Sequence, residues 1–160
     1  MEGTKNALER FKRHMPRGND LTLIVLKGHL LLEEILTGII EDNCRHPRAL
    51  VEARLEFYQK LVLAKALLPL GQNNELWKGV EKVNSIRNKF AHHIEPEGIV
   101  DKIDDLIVDW IEPGFGCPKD TSSRAKALKS VLAFLCGAIS GARETAKVAG
   151  STQPAEPRIT

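Results

Sequence analysis

The stretch LTLIVLKGHLLLEEILTGII, Leu21 to Ile40, constrains the fold more than any other part of the chain. It is long enough to span a bilayer, yet it carries Lys27, His29, Glu33 and Glu34. Each of those in hydrocarbon would cost several kcal/mol. The segment therefore reads as the central helix of a water-soluble bundle, buried by other helices. Composition agrees: aromatic residues make up 5% and β-branched runs are scarce, while Leu, Ile, Ala, Lys and Glu are abundant. With 160 residues and 42% hydrophobic content, one domain with a sizeable core is expected.

Punctuation along the chain divides it into helices. A first helix covers about Lys5 to Met15, stopped by Pro16 and Gly18. Asn19 or Asp20 caps the apolar helix, which ends near Asn43. Pro47 opens a third helix running to about Leu68, with Leu50, Leu55, Tyr58, Val62 and Leu63 as its apolar positions. Asn73 or Asn74 caps a fourth, Glu75 suits its positive end, and Pro96 with Gly98 closes the segment. Ile99, Ile103, Leu106 and Trp110 recur at helical spacing and predict a fifth. Glu112 to Asp120 is a loop by its Pro and Gly content. Ser122 or Ser123 then opens a last helix bearing Leu128, Val131, Leu132, Leu135 and Ile139. The expected architecture is all-α: an antiparallel bundle of about five or six helices over residues 1–149, with 150–160 a disordered tail.

Charge and cysteine content narrow the function classes. The net charge of +2 does not announce a polyanion partner. The basic segment Arg10 to Arg17 reads first as a solvated helix face, and only secondarily as an RNA-binding patch without turnover. Cys44, Cys117 and Cys136 form no metal-ligand spacing, so neither a metal, a cofactor nor a disulfide framework is expected. A cytoplasmic location without membrane contact follows from the reducing environment that free thiols suit.

One residue breaks the helical pattern. On the fourth helix the apolar positions Leu76, Val80, Val83, Phe90 and Ile94 leave a gap filled by Arg87, within about 40° of their common direction. Asn84, Asn88 and His92 make a polar stripe on a neighbouring flank. A guanidinium cannot shed its proton, so a buried one needs an anion. Two sources present themselves: a carboxylate of the central helix, Glu33 or Glu34, or a phosphate held by two parallel hydrogen bonds. Arg87 and His92 lie about 140° apart on a continuous helix, so they meet only if the helix frays after Ala91 or a second copy supplies the partner. Trp77 and Trp110 read as packing anchors and His29 as a satisfied core histidine.

The segment RNKFAH, Arg87 to His92, resembles the signature of the HEPN superfamily of helical domains, an Arg followed by His after four to six intervening residues. Asn88 fits the polar residue often found directly after the Arg. The region from about Leu21 to Pro96 is similar to the mannitol operon repressor-like group of that superfamily. The resemblance implies a homodimer around the motif and, in active members, metal-independent cleavage of RNA, with a toxin or defence role and a nucleotidyltransferase-like antitoxin as a partner. It assigns Arg87, Asn88 and His92 as catalytic, with His93 satisfying the same spacing; His93, Glu33, Glu34 and Lys89 are supporting candidates by their positions beside the motif or on the central helix. The repressor-like likeness equally implies a non-catalytic regulatory or interaction module in which the motif serves dimer register.

Overall fold

The computed structural model describes residues 2–71, 74–110 and 117–151. Among them every regular element is helical: α1 Glu2–His14, α2 Leu21–Asp42, α3 Leu50–Ala53, α4 Phe57–Leu67, α5 Glu75–His92, α6 Ile99–Val108 and α7 Thr121–Ser151, with a 3-10 turn at Pro47–Ala49. The protein is an all-α helical bundle. Around α2 pack α7, α4 and α5, and α1 lies against α7. Ile24, Leu32, Leu36 and Ile39 of α2 are solvent-free, as are Leu128, Leu132, Leu135 and Ile139 of α7.

Local chemistry sets the ends of these elements. Asp20 caps α2 by accepting a hydrogen bond from the Leu23 amide at 3.0 Å, and Asn74 caps α5 through the Leu76 amide at 2.9 Å. Such a cap contributes about 1 kcal/mol. Asp120, not Ser122 or Ser123, receives the free amides of α7: it accepts from the Ser123 amide at 2.9 Å and from the Ser123 hydroxyl. Arg124 then grips Asp104 of α6 through Nε and Nη2 at 2.6 and 2.9 Å, which holds the Asp104 carboxyl below the usual carboxylate range.

Three sequence expectations are corrected. The third helix is not continuous from Pro47 to Leu68. Arg54 takes the left-handed conformation at φ 47° and stops α3, and Glu56 with Gln59 form a reciprocal capping box that starts α4 afresh. The buried side of α4 is Phe57, Leu61, Ala64 and Leu68, while Tyr58, Val62 and Leu63 are exposed. On α5, Trp77 and Ile86 join Val80 and Val83 in the core, and Ile94 stands wholly in solvent. The tail beyond residue 151 and the loop residues 111–116 lie outside the described residues, although α7 carries its helix through Ser151.

By length and composition it is α7, not α2, that could cross a membrane: Thr121–Ala149 contains a window of mean hydropathy 1.3. Half of that window is buried inside the bundle, so its apolar side is satisfied by α1 and α2. The close approach of α2 to α7 depends on Gly28, where a Cβ would stand 2.6 Å from Leu132 Cδ1.

Candidate functional site

The C-terminal half of α5 turns its polar flank toward α4 and forms an open groove of about 540 Å³. Tyr58 supplies one wall; Glu81, Asn84, Ser85, Asn88, Lys89, His92 and His93 supply the other. Successive turns of a helix stack residues four apart, which is why Asn84, Asn88 and His92 share this face. Glu81 places a carboxylate at the rim, but it is engaged by Lys65 from α4. The remaining charge offered to the groove is Lys89, with two imidazoles beside it.

Arg87 stands behind this surface. It is half-buried between core and groove, and its Nη1 donates to Asn88 Oδ1 at 3.1 Å. Among the described residues no carboxylate pairs with it. Glu33 and Glu34, expected as its supports, are committed elsewhere. Glu33 Oε1 accepts from Lys60 of α4 at 2.8 Å, and Glu34 accepts from Arg10 of α1 at 2.7 Å. The reason is angular: the two carboxylates leave α2 toward different neighbours, and neither of those is α5. The guanidinium therefore reaches the groove through Asn88 and not directly.

The imidazoles of the motif are placed differently from it. α5 stays helical through His92, and His93 is its C-cap, with the backbone amide bonded to the Lys89 carbonyl at 3.1 Å. The helix does not fray after Ala91, which was one of the two ways for Arg87 and His92 to meet. Both histidines are exposed, and the separation of about 140° between Arg87 and His92 stands. Within one chain the structure brings together Asn88, Lys89, His92 and His93 in the groove, with Arg87 one residue away behind them.

A residue outside the motif completes the site from below. His29 of α2 is buried, stacks on Phe57 with ring centroids 4.0 Å apart, and meets Asn84 Oδ1 through Nε2 at 3.0 Å. Burial lowers its pKa and the nearby Arg87 charge adds to this, while the Asn84 hydrogen bond and Glu33 oppose it. His29 and Asn84 are both visible in sequence as polar residues on apolar helices, but nothing in a sequence pairs two residues on different helices. Among the described residues no group of His, Cys, Asp and Glu is arranged to hold a metal ion.

Compared with protein-family models, with curated proteins and with solved structures, the chain finds no match.

Proposed function

We propose that the protein is a metal-independent endoribonuclease of the HEPN type, acting at the α5 groove as a homodimer. The observation that carries this reading is an arginine left without a carboxylate, hydrogen-bonded to an asparagine that lines a groove shared with Lys89 and His92. RNA brings its own nucleophile, the 2'-hydroxyl, so the protein has three tasks: to take that proton, to offset charge at phosphorus, and to protonate the leaving 5'-oxygen. His92 serves as the general acid or base, the side chain most often used for proton transfer in catalysis. Arg87 offsets transition-state charge, and Asn88 relays and orients that contact. The products are a 2',3'-cyclic phosphate and a 5'-hydroxyl.

A second copy resolves the angular separation of Arg87 from His92. Its docking is supported by α4, whose Tyr58 lines the groove and which also exposes Val62, Leu63 and Leu67. Free thiols at Cys44, Cys117 and Cys136 suit a reducing cytoplasm. A nucleotidyltransferase-like antitoxin as a further partner rests on the family resemblance alone.

The test is incubation of purified protein with RNA in a chelator, wild type against His92→Ala and Arg87→Ala, with mass determined by light scattering. Cleavage by the wild type only, from a dimer, is expected. Intact RNA at high protein concentration, or full activity of His92→Ala, would sink the nuclease. One observation favours the alternative of a non-catalytic regulatory module: His92 and His93 are exposed, and among the described residues no side-chain hydrogen bond orients their rings. In that case Arg87→Ala weakens the dimer and no RNA is cut.

A further inference from the structure

We infer that Asn84 is a phosphate-binding residue of the α5 groove and that His29, buried beneath it, is the positioning residue that turns its amide group outward. The inference rests on the reading that the groove takes RNA, and it adds a contact outside the Arg87 to His92 segment.

A carboxamide has one accepting end and one donating end. The Asn84 carbonyl oxygen is taken from the core side by His29 Nε2 at 3.0 Å, so what remains for the groove is the Nδ2 amide, a donor. Asn88, one turn further on, is arranged alike: its Oδ1 accepts from Arg87 at 3.1 Å. Two side chains about 6 Å apart along the helix axis thus have their acceptors occupied from behind and their donors forward. Phosphodiester oxygens only accept hydrogen bonds, and such a row suits them. The charged groups at the rim agree, because Lys89 is positive and the one groove carboxylate, Glu81, is offset by Lys65.

His29 is built to hold that orientation. Its ring is fixed by stacking on Phe57 at 4.0 Å and 25°, it is only 4% exposed, and it sits next to Gly28, where an added Cβ would stand 2.6 Å from Leu132 of α7. A ring so placed cannot turn away to release the Asn84 carbonyl without disturbing the core. A free asparagine would present either end to a ligand, whereas this one is committed to donating.

The experiment measures binding of a short 2'-O-methyl RNA oligonucleotide, which lacks the nucleophile and cannot be cut, by fluorescence anisotropy. Asn84→Ala and His29→Leu are each expected to weaken binding about tenfold, the loss of one hydrogen bond to a charged group. His29→Gln, whose amide nitrogen reaches a place similar to Nε2, is expected to stay within about twofold of wild type. In the Asn84→Ala background His29→Leu is expected to add nothing, since its effect travels through that residue. Circular dichroism establishes that each variant is folded; should His29→Leu fail to fold, Asn84→Asp, which replaces the donor with a carboxylate, is expected to lose at least as much as Asn84→Ala. Unchanged binding by Asn84→Ala, no binding by the wild type, or additive losses from the two sites would overturn the inference. Tight binding of the blocked oligonucleotide by a wild type that leaves ordinary RNA intact would reject the nuclease and keep Asn84 as a phosphate ligand.

Discussion

Replacing Gly28 by alanine tests how tightly α2 is held against α7, and so how firmly His29 is seated under the groove. The added Cβ would lie 2.6, 2.8 and 3.1 Å from Leu132 Cδ1, Cδ2 and Cγ, where carbon contacts settle at about 3.5–4.0 Å. Leu132 has no solvent exposure, and three of its atoms are blocked together, so no rotamer change relieves the clash without moving neighbours. Overpacking of this kind costs about 1–3 kcal/mol. Against it, alanine favours the helix over glycine by about 1 kcal/mol. The net expectation is a loss of about 1 kcal/mol.

Gly38, ten residues further along α2, supplies the control. There the three atoms nearest the added Cβ all belong to the guanidinium of Arg143, the far end of a flexible and half-buried side chain that can swing outward. The contact given up is a pair with Asp42, worth about 0–1 kcal/mol near a surface, and Lys147 remains within 3.1 Å of that carboxylate. With the same gain in helix propensity, Gly38→Ala is expected to lie between neutral and about 1 kcal/mol stabilising. Urea unfolding followed by circular dichroism ranks the two. A Gly28→Ala protein as stable as wild type, or a Gly38→Ala protein that is the weaker of the pair, refutes the account of the α2–α7 contact.

Three further outcomes are expected. His29 has a pKa lowered chiefly by burial, so the unfolded chain takes up a proton near pH 6.5 before the native one does. Its contribution to stability is complete above that pH and is lost as pH falls below it; the stability advantage of wild type over His29→Gln should shrink between pH 7.5 and 5, and an advantage that grows contradicts this. Burial pushes the Cys136 thiol up to about 12, so iodoacetamide at pH 8 should leave it unmodified in the native protein while Cys117, which is exposed, reacts; mass spectrometry showing native Cys136 alkylated counts against its placement. Arg54 holds φ 47°, a conformation costing about 1–2 kcal/mol without glycine; after the entropy glycine adds to the unfolded chain, Arg54→Gly should stabilise by up to about 1 kcal/mol in thermal unfolding, and a marked loss would mean the side chain matters more than the backbone.

What the sequence discloses follows from whether a signal is local. α2 is legible because its apolar residues are dense and Asp20 precedes it, and the core residues of α7 because Leu128, Val131, Leu132, Leu135 and Ile139 recur at helical spacing. The break between α3 and α4 is not legible, since Arg54 turns left-handed without a glycine to mark it and the capping box begins with Glu56 in place of the usual hydroxyl residue. The face of α4 is ambiguous in principle: Phe57, Leu61, Ala64 and Leu68 on one side compete with Tyr58, Val62, Leu63 and Leu67 on the other, and periodicity cannot choose between two apolar stripes. The polar stripe of Asn84, Asn88 and His92 comes directly from helix geometry, so its groove face is readable. The partners of Glu33 and Glu34 lie across helices and depend on crossing geometry that spacing does not encode.

The placement of Arg87 now separates two explanations for a cation within an apolar pattern. Had its role been to lock register with α2, an anion of that helix should meet it, yet Glu33 is taken by Lys60 and Glu34 by Arg10. Those two pairs already tie α2 to α4 and to α1, which leaves α5 joined to α2 by packing and by the neutral contact of His29 with Asn84. The guanidinium is directed to Asn88 instead, at the boundary where the buried face of α5 gives way to the groove. There it lends positive potential to the groove without being exhausted by an internal counter-charge, and it shares the His29 neighbourhood, where a second positive charge is disfavoured. A neutral His29 beneath and an uncompensated Arg87 beside it are mutually consistent: protonating the imidazole would add repulsion in a low-dielectric site, so keeping the histidine uncharged allows the arginine to remain close to the groove.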